Sequence, residues 1–187
     1  MAKGTRDALM ETAERLMRTR GYMAFSYADL AETVGITKAS IHHHFSTKED
    51  LGAVIVEGYI TEVQDALEKI EKQHSNTADQ LNAYFGIFRS SIESGLLPLC
   101  GALAAELSAL PPRLQKITKN FFDIQLGWLT KVINGGISRG EFPCGGGARK
   151  KAFILLSILE GSCFVNWATN EDSHLDQDLI RLILDKS

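Results

Sequence analysis

Apolar residues recur along most of this chain at three- and four-residue intervals, the spacing that gathers them on one side of an α-helix. Leu9, Ala13, Leu16 and Met17 make such a stripe within Thr5 to Arg20, and Gly21 follows where a C-terminal glycine cap belongs. Tyr27 to about Val34 reads as a second, short helix. Ser26 is placed to cap its amides, and Asp29 suits the positive end of its dipole. Gly35 fits a tight turn, and Thr37 can cap a third helix running to about His44. In that helix Ile41 and Phe45, four apart, turn inward with Ile36. Lys38, Ala39, Ser40, His42, His43 and His44 are left outward. Ser46 and Glu49 have the spacing of a capping box for the next helix.

The helical period continues to the end. Lys48 to Lys72 predicts one long helix with Leu51, Ile55, Tyr59, Val63, Leu67 and Ile70 on its buried side. At 1.5 Å per residue it is on the order of 37 Å long. Asp79 to Ser94 predicts another, and Leu96 to Leu110 a short buried one. Pro112 to Gly135 follows, with Gly135-Gly136 as its end or a bend and Ile137 to Gly140 as a final turn. After the glycine-rich loop from Phe142 to Gly147 come an apolar helix, Ala148 to Trp167, and an amphipathic one, Leu175 to Asp185. No strand pattern and no internal repeat interrupts this. The fold class expected is all-α, with a three-helix head over 1–50 and a helical body over 51–187.

Composition narrows the options without deciding among them. The 187 residues can bury a sizeable core. The net charge of -3 excludes a generally basic nucleic-acid coat. Through Leu51 the basic Lys3, Arg6, Arg15, Arg18, Arg20, Lys38 and Lys48 are balanced by Asp7, Glu11, Glu14, Asp29, Glu32, Glu49 and Asp50. Any contact with DNA must therefore come from local placement of charge. The N-terminal residues read as a charged amphipathic helix and not a signal peptide, and no stretch reads as a membrane span. Cys100, Cys144 and Cys163 have neither zinc nor disulfide spacing, which points to a reduced, cytoplasmic protein. No P-loop, HExxH, GxSxG or dinucleotide glycine pattern is present, so nothing points to an enzyme or a cofactor.

Two short helices over a glycine turn are the helix-turn-helix arrangement, whose second helix enters the major groove. Thr37, Lys38, Ser40, His42, His43 and His44 supply donors for phosphates and base edges. Ala39 permits close approach, and Ser26, Tyr27 and Lys48 sit where phosphates would pass. A plain helical hairpin with a polar solvent face has the same spacing. His42 and His44, two apart, point in different directions and are poorly placed to hold a metal.

The stretch resembles the DNA-binding segment of the TetR family of bacterial transcriptional regulators. The resemblance rests on Tyr27, Asp29, Leu30, Ala31, Val34, Gly35, Ile36, Lys38, Ile41, His43, Phe45, Lys48, Glu49 and Leu51, preceded by Arg20-Gly21-Tyr22 and Phe25-Ser26. It covers roughly the first quarter of the chain. His42 and His44 depart from it, because the family usually has tyrosine there. Histidine also donates, and it ionises near pH 6.5, so DNA affinity would rise as pH falls.

The resemblance implies a homodimeric regulator, most often a repressor, that reads palindromic double-stranded DNA and answers to a small-molecule effector. It implies that the long fourth helix links head to body and that the last two long helices form a dimeric four-helix bundle. Residues 148–185 carry apolar side chains on more than one face, which supports a dimer and would equally fit a helix buried in one monomer. Phe85, Phe88, Cys100, Phe121, Phe122, Trp128, Cys163 and Trp167 are the residues that could line an apolar effector cavity, favoured by the resemblance more than by their pattern. Arg89, Glu106, Arg113 and Glu160 are candidates to fix its polar end. Cys100 resembles a cysteine in a branch of the family that responds to small electrophiles; an inert core thiol fits the sequence as well. A helical carrier or enzyme without a DNA role, and a non-specific architectural DNA binder, are the alternatives.

Overall fold

A computed structural model describes residues 4–141, 146–169, 171, 175 and 179. Among them are eight α-helices: α1 (Thr5–Arg20), α2 (Tyr27–Val34), α3 (Lys38–His44), α4 (Lys48–Gln73), α5 (Thr77–Glu93), α6 (Leu99–Ala105), α7 (Pro112–Ser138) and α8 (Ala148–Thr169). A 3₁₀ turn, Leu107–Ala109, joins α6 to α7. The architecture is all-α. The helix expected over 175–185 and the loop cysteine Cys144 lie outside the described residues, apart from Leu175 and Leu179.

The chain divides into two compact units, Met1–Thr61 with Pro98–Phe121, and Glu62–Leu97 with Phe122–Ser187. The first unit takes in the start of α4, all of α6 and the start of α7.

In the first unit α1 packs on α2 and α6, and α2 on α3. Leu9, Ala13 and Met17 of α1, Leu30 of α2 and Ile41 of α3 are buried together with Phe45 and Leu51. Gly52 marks a close approach: a Cβ there would stand 3.0 Å from the Tyr22 ring and 3.2 Å from Leu114. Arg113, at the start of α7, pairs with Glu57 at 2.9 Å and Asp50 at 3.6 Å.

In the second unit α5 packs on α8. Asn76 caps α5 by accepting from the Asp79 amide at 2.8 Å, so the helix starts two residues before the expected Asp79. Arg139 donates to Glu141 and to Thr77, and Glu141 accepts from the Thr77 amide, fastening the start of α5 to the end of α7.

Two expectations need correction. Gly135-Gly136 neither ends nor bends α7 out of helix; the helix runs through to Ser138, and the Arg139 guanidinium passes 3.1 Å from where a Cβ on Gly135 would stand. And α8, at 22 residues and mean hydropathy 1.4, is long and apolar enough to cross a membrane by composition. Its apolar character is instead divided between a core side (Ala152, Leu155, Leu159, Cys163) and an exposed one (Phe153, Ile154, Val165), with Arg149, Lys150 and Lys151 in its first turn.

Candidate functional site

Hydrogen bonds hold both ends of α2 and α3 and the start of α4. The Ser26 hydroxyl accepts from the Ala28 and Asp29 amides, and the Asp29 carboxylate accepts from the Ser26 amide at 2.7 Å, a full capping box. Those bonds from Ser26 hold the Asp29 carboxyl below its usual range. Gly35 closes α2 at φ 75, in the left-handed region that a turn this tight requires. Thr37 accepts from the Ser40 amide at 3.2 Å and starts α3. The box for α4 falls one residue later than expected. Thr47 and Asp50 form it, with Asp50 accepting from the Thr47 amide at 3.2 Å and hydroxyl at 2.7 Å. Ser46 and Glu49 have equally good spacing, but α4 starts at Lys48, directly after Thr47.

α3 presents the predicted surface. Ile41 is its buried residue. Thr37, Lys38, Ala39, His42 and His43 are exposed, and Ser40 and His44 half-buried. Ile36, expected in the core, is also only half-buried. Tyr27 braces this face from α2: its hydroxyl donates to the Phe45 carbonyl at 3.2 Å and its ring meets His42 at 5.0 Å. Burial and the neighbouring Asp50 push the Tyr27 hydroxyl up to about 12, so it remains a donor. His42 Nδ1 lies 3.1 Å from the Ser46 carbonyl oxygen.

Lys48 ties the start of α4 to the loop after α1. Its ammonium donates to the Tyr22 and Phe25 carbonyls at 2.5 Å each and stands 4.3 Å from the centre of each ring. Desolvation lowers its pKa, against the pull of Glu106 and Asp29. The loop it ties is held from behind by Glu106 at the end of α6, which accepts from the Met23 amide at 3.3 Å. Gly21 makes room for that carboxylate: at φ 91, a Cβ would fall 2.5 Å from Glu106 Oε1.

The residues proposed to line an effector cavity fall in both units. In the first, Cys100 is fully buried in the opening turn of α6, and Phe121 is buried against Tyr59 with ring centres 5.6 Å apart. In the second, Phe85, Phe88, Trp128 and Cys163 are buried and Phe122 half-buried. Trp167 departs from the expectation, being 48 % exposed near the end of α8. Of the four charged candidates, three are committed within the protein. Arg89 donates to the Leu175 carbonyl at 2.8 Å, Glu106 accepts from the Met23 amide, and Arg113 donates to Glu57. Glu160 alone of the four has both carboxylate oxygens buried with no partner among the described residues, and burial pushes its carboxyl up to about 8.

Sequence reasoning did not single out Tyr84 and Gln125. Tyr84 is fully buried, meets Phe88 at 5.4 Å and Trp128 at 5.2 Å, and donates to Gln125 Oε1. The available signal was register: Gln125 is the polar member of the stripe Phe121, Gln125, Trp128, Leu129 and Val132.

Capped α2, a left-handed glycine turn and an α3 with its polar side bare define a helix-turn-helix protein. The profile of "Bacterial regulatory proteins, tetR family" matches residues 9–53. A solved structure of a TetR-family transcriptional regulator from Agrobacterium tumefaciens is 32 % identical. It superposes with a TM-score of 0.84 over 96 % of this chain and 93 % of that one. The chain belongs to the TetR family. The HTH-type transcriptional repressor KstR2 of Mycobacterium tuberculosis (strain ATCC 25618 / H37Rv) is 28 % identical over 141 residues, 73 % of this chain and 68 % of that protein. The HTH-type transcriptional repressor NemR of Escherichia coli (strain K12) is 29 % identical over 82 residues, 43 % of this chain; the match spans 41 % of that repressor's length.

Proposed function

We propose that this chain is a cytoplasmic, effector-responsive transcriptional repressor that binds a palindromic operator as a homodimer. The observation that carries the reading is α3, a capped helix whose exposed side gathers Thr37, Lys38, Ala39, His42 and His43 while its apolar side is locked on α2. Lys38 and the histidines serve as donors to phosphates and base edges, with Ser40 and His44 at the margin of the contact. Ser26 and Tyr27 lie where the backbone passes, and Lys48 keeps the loop beside them in shape. Dimerisation through 148–185 is supported by the exposed apolar side of α8, where Phe153 is 61 % and Val165 60 % exposed. A two-fold pair of heads accounts for a palindromic site.

The effector is a small molecule, or a small electrophile acting at Cys100, which is fully buried in the opening turn of α6. The effector shifts DNA affinity only by its preference for one of two arrangements of the dimer.

Fluorescence anisotropy on DNA from upstream of the chain's own gene, against a scrambled duplex of equal length, tests the proposal, followed by selection from random duplexes. Tight, sequence-dependent binding at two protomers per site is expected, with Lys38→Ala weakening it at least fivefold. Equal affinity for all sequences in both assays would sink it.

A further inference from the structure

The second unit buries two hydrogen-bond donors, Gln125 Nε2 and Trp128 Nε1, with no acceptor among the described residues to receive them. Gln125 and Trp128 stand three apart on one face of α7. Tyr84 touches both: its hydroxyl donates to Gln125 Oε1 at 2.5 Å, and its ring centre lies 5.2 Å from that of Trp128. With Oε1 accepting from the Tyr84 hydroxyl, Gln125 Nε2 keeps two N–H groups on the same face of α7 as the indole Nε1–H. Neither nitrogen has a partner among the described residues, although Gln125 is 2 % exposed and Trp128 9 %. A buried donor left without an acceptor is costly, and folded proteins carry few.

The chemistry of the donors selects the group that completes them. A water accepting from both would bring two O–H groups in need of acceptors of their own, since a buried water ordinarily makes about three bonds. A carbonyl oxygen has two lone pairs and no proton. A carboxylate would meet the same donors but needs a cation. Arg89 is bound to the Leu175 carbonyl, Lys131 to Glu71, and Arg139 to Glu141 and Thr77. An unpaired buried anion costs far more than a neutral dipole. Phe88, edge-on to Tyr84, makes the flank apolar.

We infer that Gln125 Nε2 and Trp128 Nε1 form a two-donor seat for the carbonyl oxygen of an uncharged, otherwise apolar small molecule, with Tyr84 as the positioning residue for the amide. The inference rests on the reading of this chain as effector-responsive and names the effector's chemical class: a ketone, ester or amide.

The chain has two tryptophans, so Trp167→Phe leaves Trp128 as the sole indole. The full-length ¹⁵N-labelled variant is titrated with acetophenone and benzophenone, with their hydrocarbon counterparts ethylbenzene and diphenylmethane, and with benzoate. At least one ketone is expected to move the indole N–H proton downfield and to saturate. Its hydrocarbon counterpart and benzoate should bind at least tenfold more weakly. Gln125→Leu should weaken the ketone at least tenfold with helical circular dichroism unchanged; if that variant does not fold, Trp128→Phe is read by ligand-detected saturation transfer. No shift with either ketone, equal binding of ketone and hydrocarbon, or full affinity in the variant overturns the inference. Anisotropy on the upstream duplex with the same sample separates the two readings. DNA binding without a ketone response removes the seat and leaves the regulator, and a ketone response without DNA binding does the reverse.

Discussion

The head and the interior of the second unit treat polar groups in opposite ways. Around α2 and α3 the polar atoms at the helix ends are engaged: Ser26 with Asp29, Thr37 with Ser40, Thr47 with Asp50, Tyr27 with Phe45, Lys48 with Tyr22 and Phe25. In the second unit Gln125, Trp128 and Glu160 keep polar atoms buried and unpaired. A surface that must match the fixed spacing of DNA grooves gains from having one shape, and satisfied hydrogen bonds give it one. A region that must hold a guest keeps donors and acceptors in reserve, at a cost in stability.

The largest effect that would sharpen this contrast belongs to Glu160. Below about pH 4.5 its carboxyl is protonated in both folded and unfolded chains. Between there and about 8 the unfolded chain ionises while the folded one holds its proton, so stability falls as pH rises and levels off above. The full difference is on the order of 4 kcal/mol. Glu160→Gln should therefore leave stability unchanged at pH 4 and raise it progressively toward pH 8, as read by urea unfolding at a series of pH values. A pH-independent change would mean that the carboxyl is not buried as described.

In the head, removal should destabilise. Lys48→Met keeps the stem and deletes two charge-assisted bonds, for an expected loss of about 3 kcal/mol by denaturant unfolding. A loss under about 0.5 kcal/mol would show the ammonium to be spending its time in solvent. Gly21→Ala comes next, at about 2 kcal/mol, from its positive φ and the Glu106 carboxylate. Pairing it with Glu106→Ala in a double-mutant cycle should recover part of that loss, while strict additivity would remove the steric component. Ser26→Ala is the smallest, about 1 kcal/mol for a lost N-cap. It should weaken DNA binding and leave the pH profile set by Glu160 untouched.

Much of the head was legible in the sequence because its signals are local. Ser26, Gly35 and Thr37 act on amides within four residues, and their chemistry names their place. The α4 cap was misplaced by one residue because Ser46/Glu49 and Thr47/Asp50 satisfy the same local rule. Lys48 shows a related limit: its place after a recognition helix does not reveal that its ammonium reaches the Tyr22 and Phe25 carbonyls, more than twenty residues upstream. In the second unit, apolar side chains announced burial but not direction, so Trp167 was grouped with Trp128 although one is exposed and the other not. Gln125 was passed over because a glutamine in a helix is ordinarily wet; only the register of its apolar neighbours marked it.

The contact between Glu106 and the loop after α1 bears on how this protein can be recombined. Grafting its first 50 residues onto the body of a relative would carry Gly21 and Met23 but leave behind the carboxylate that fills the space at one and accepts from the amide of the other. Such a chimera would keep its reading helix and lose the support of the loop beside it. A transplant expected to keep its operator has to take Pro98–Phe121 along with the N-terminal segment, although the two are far apart in the gene.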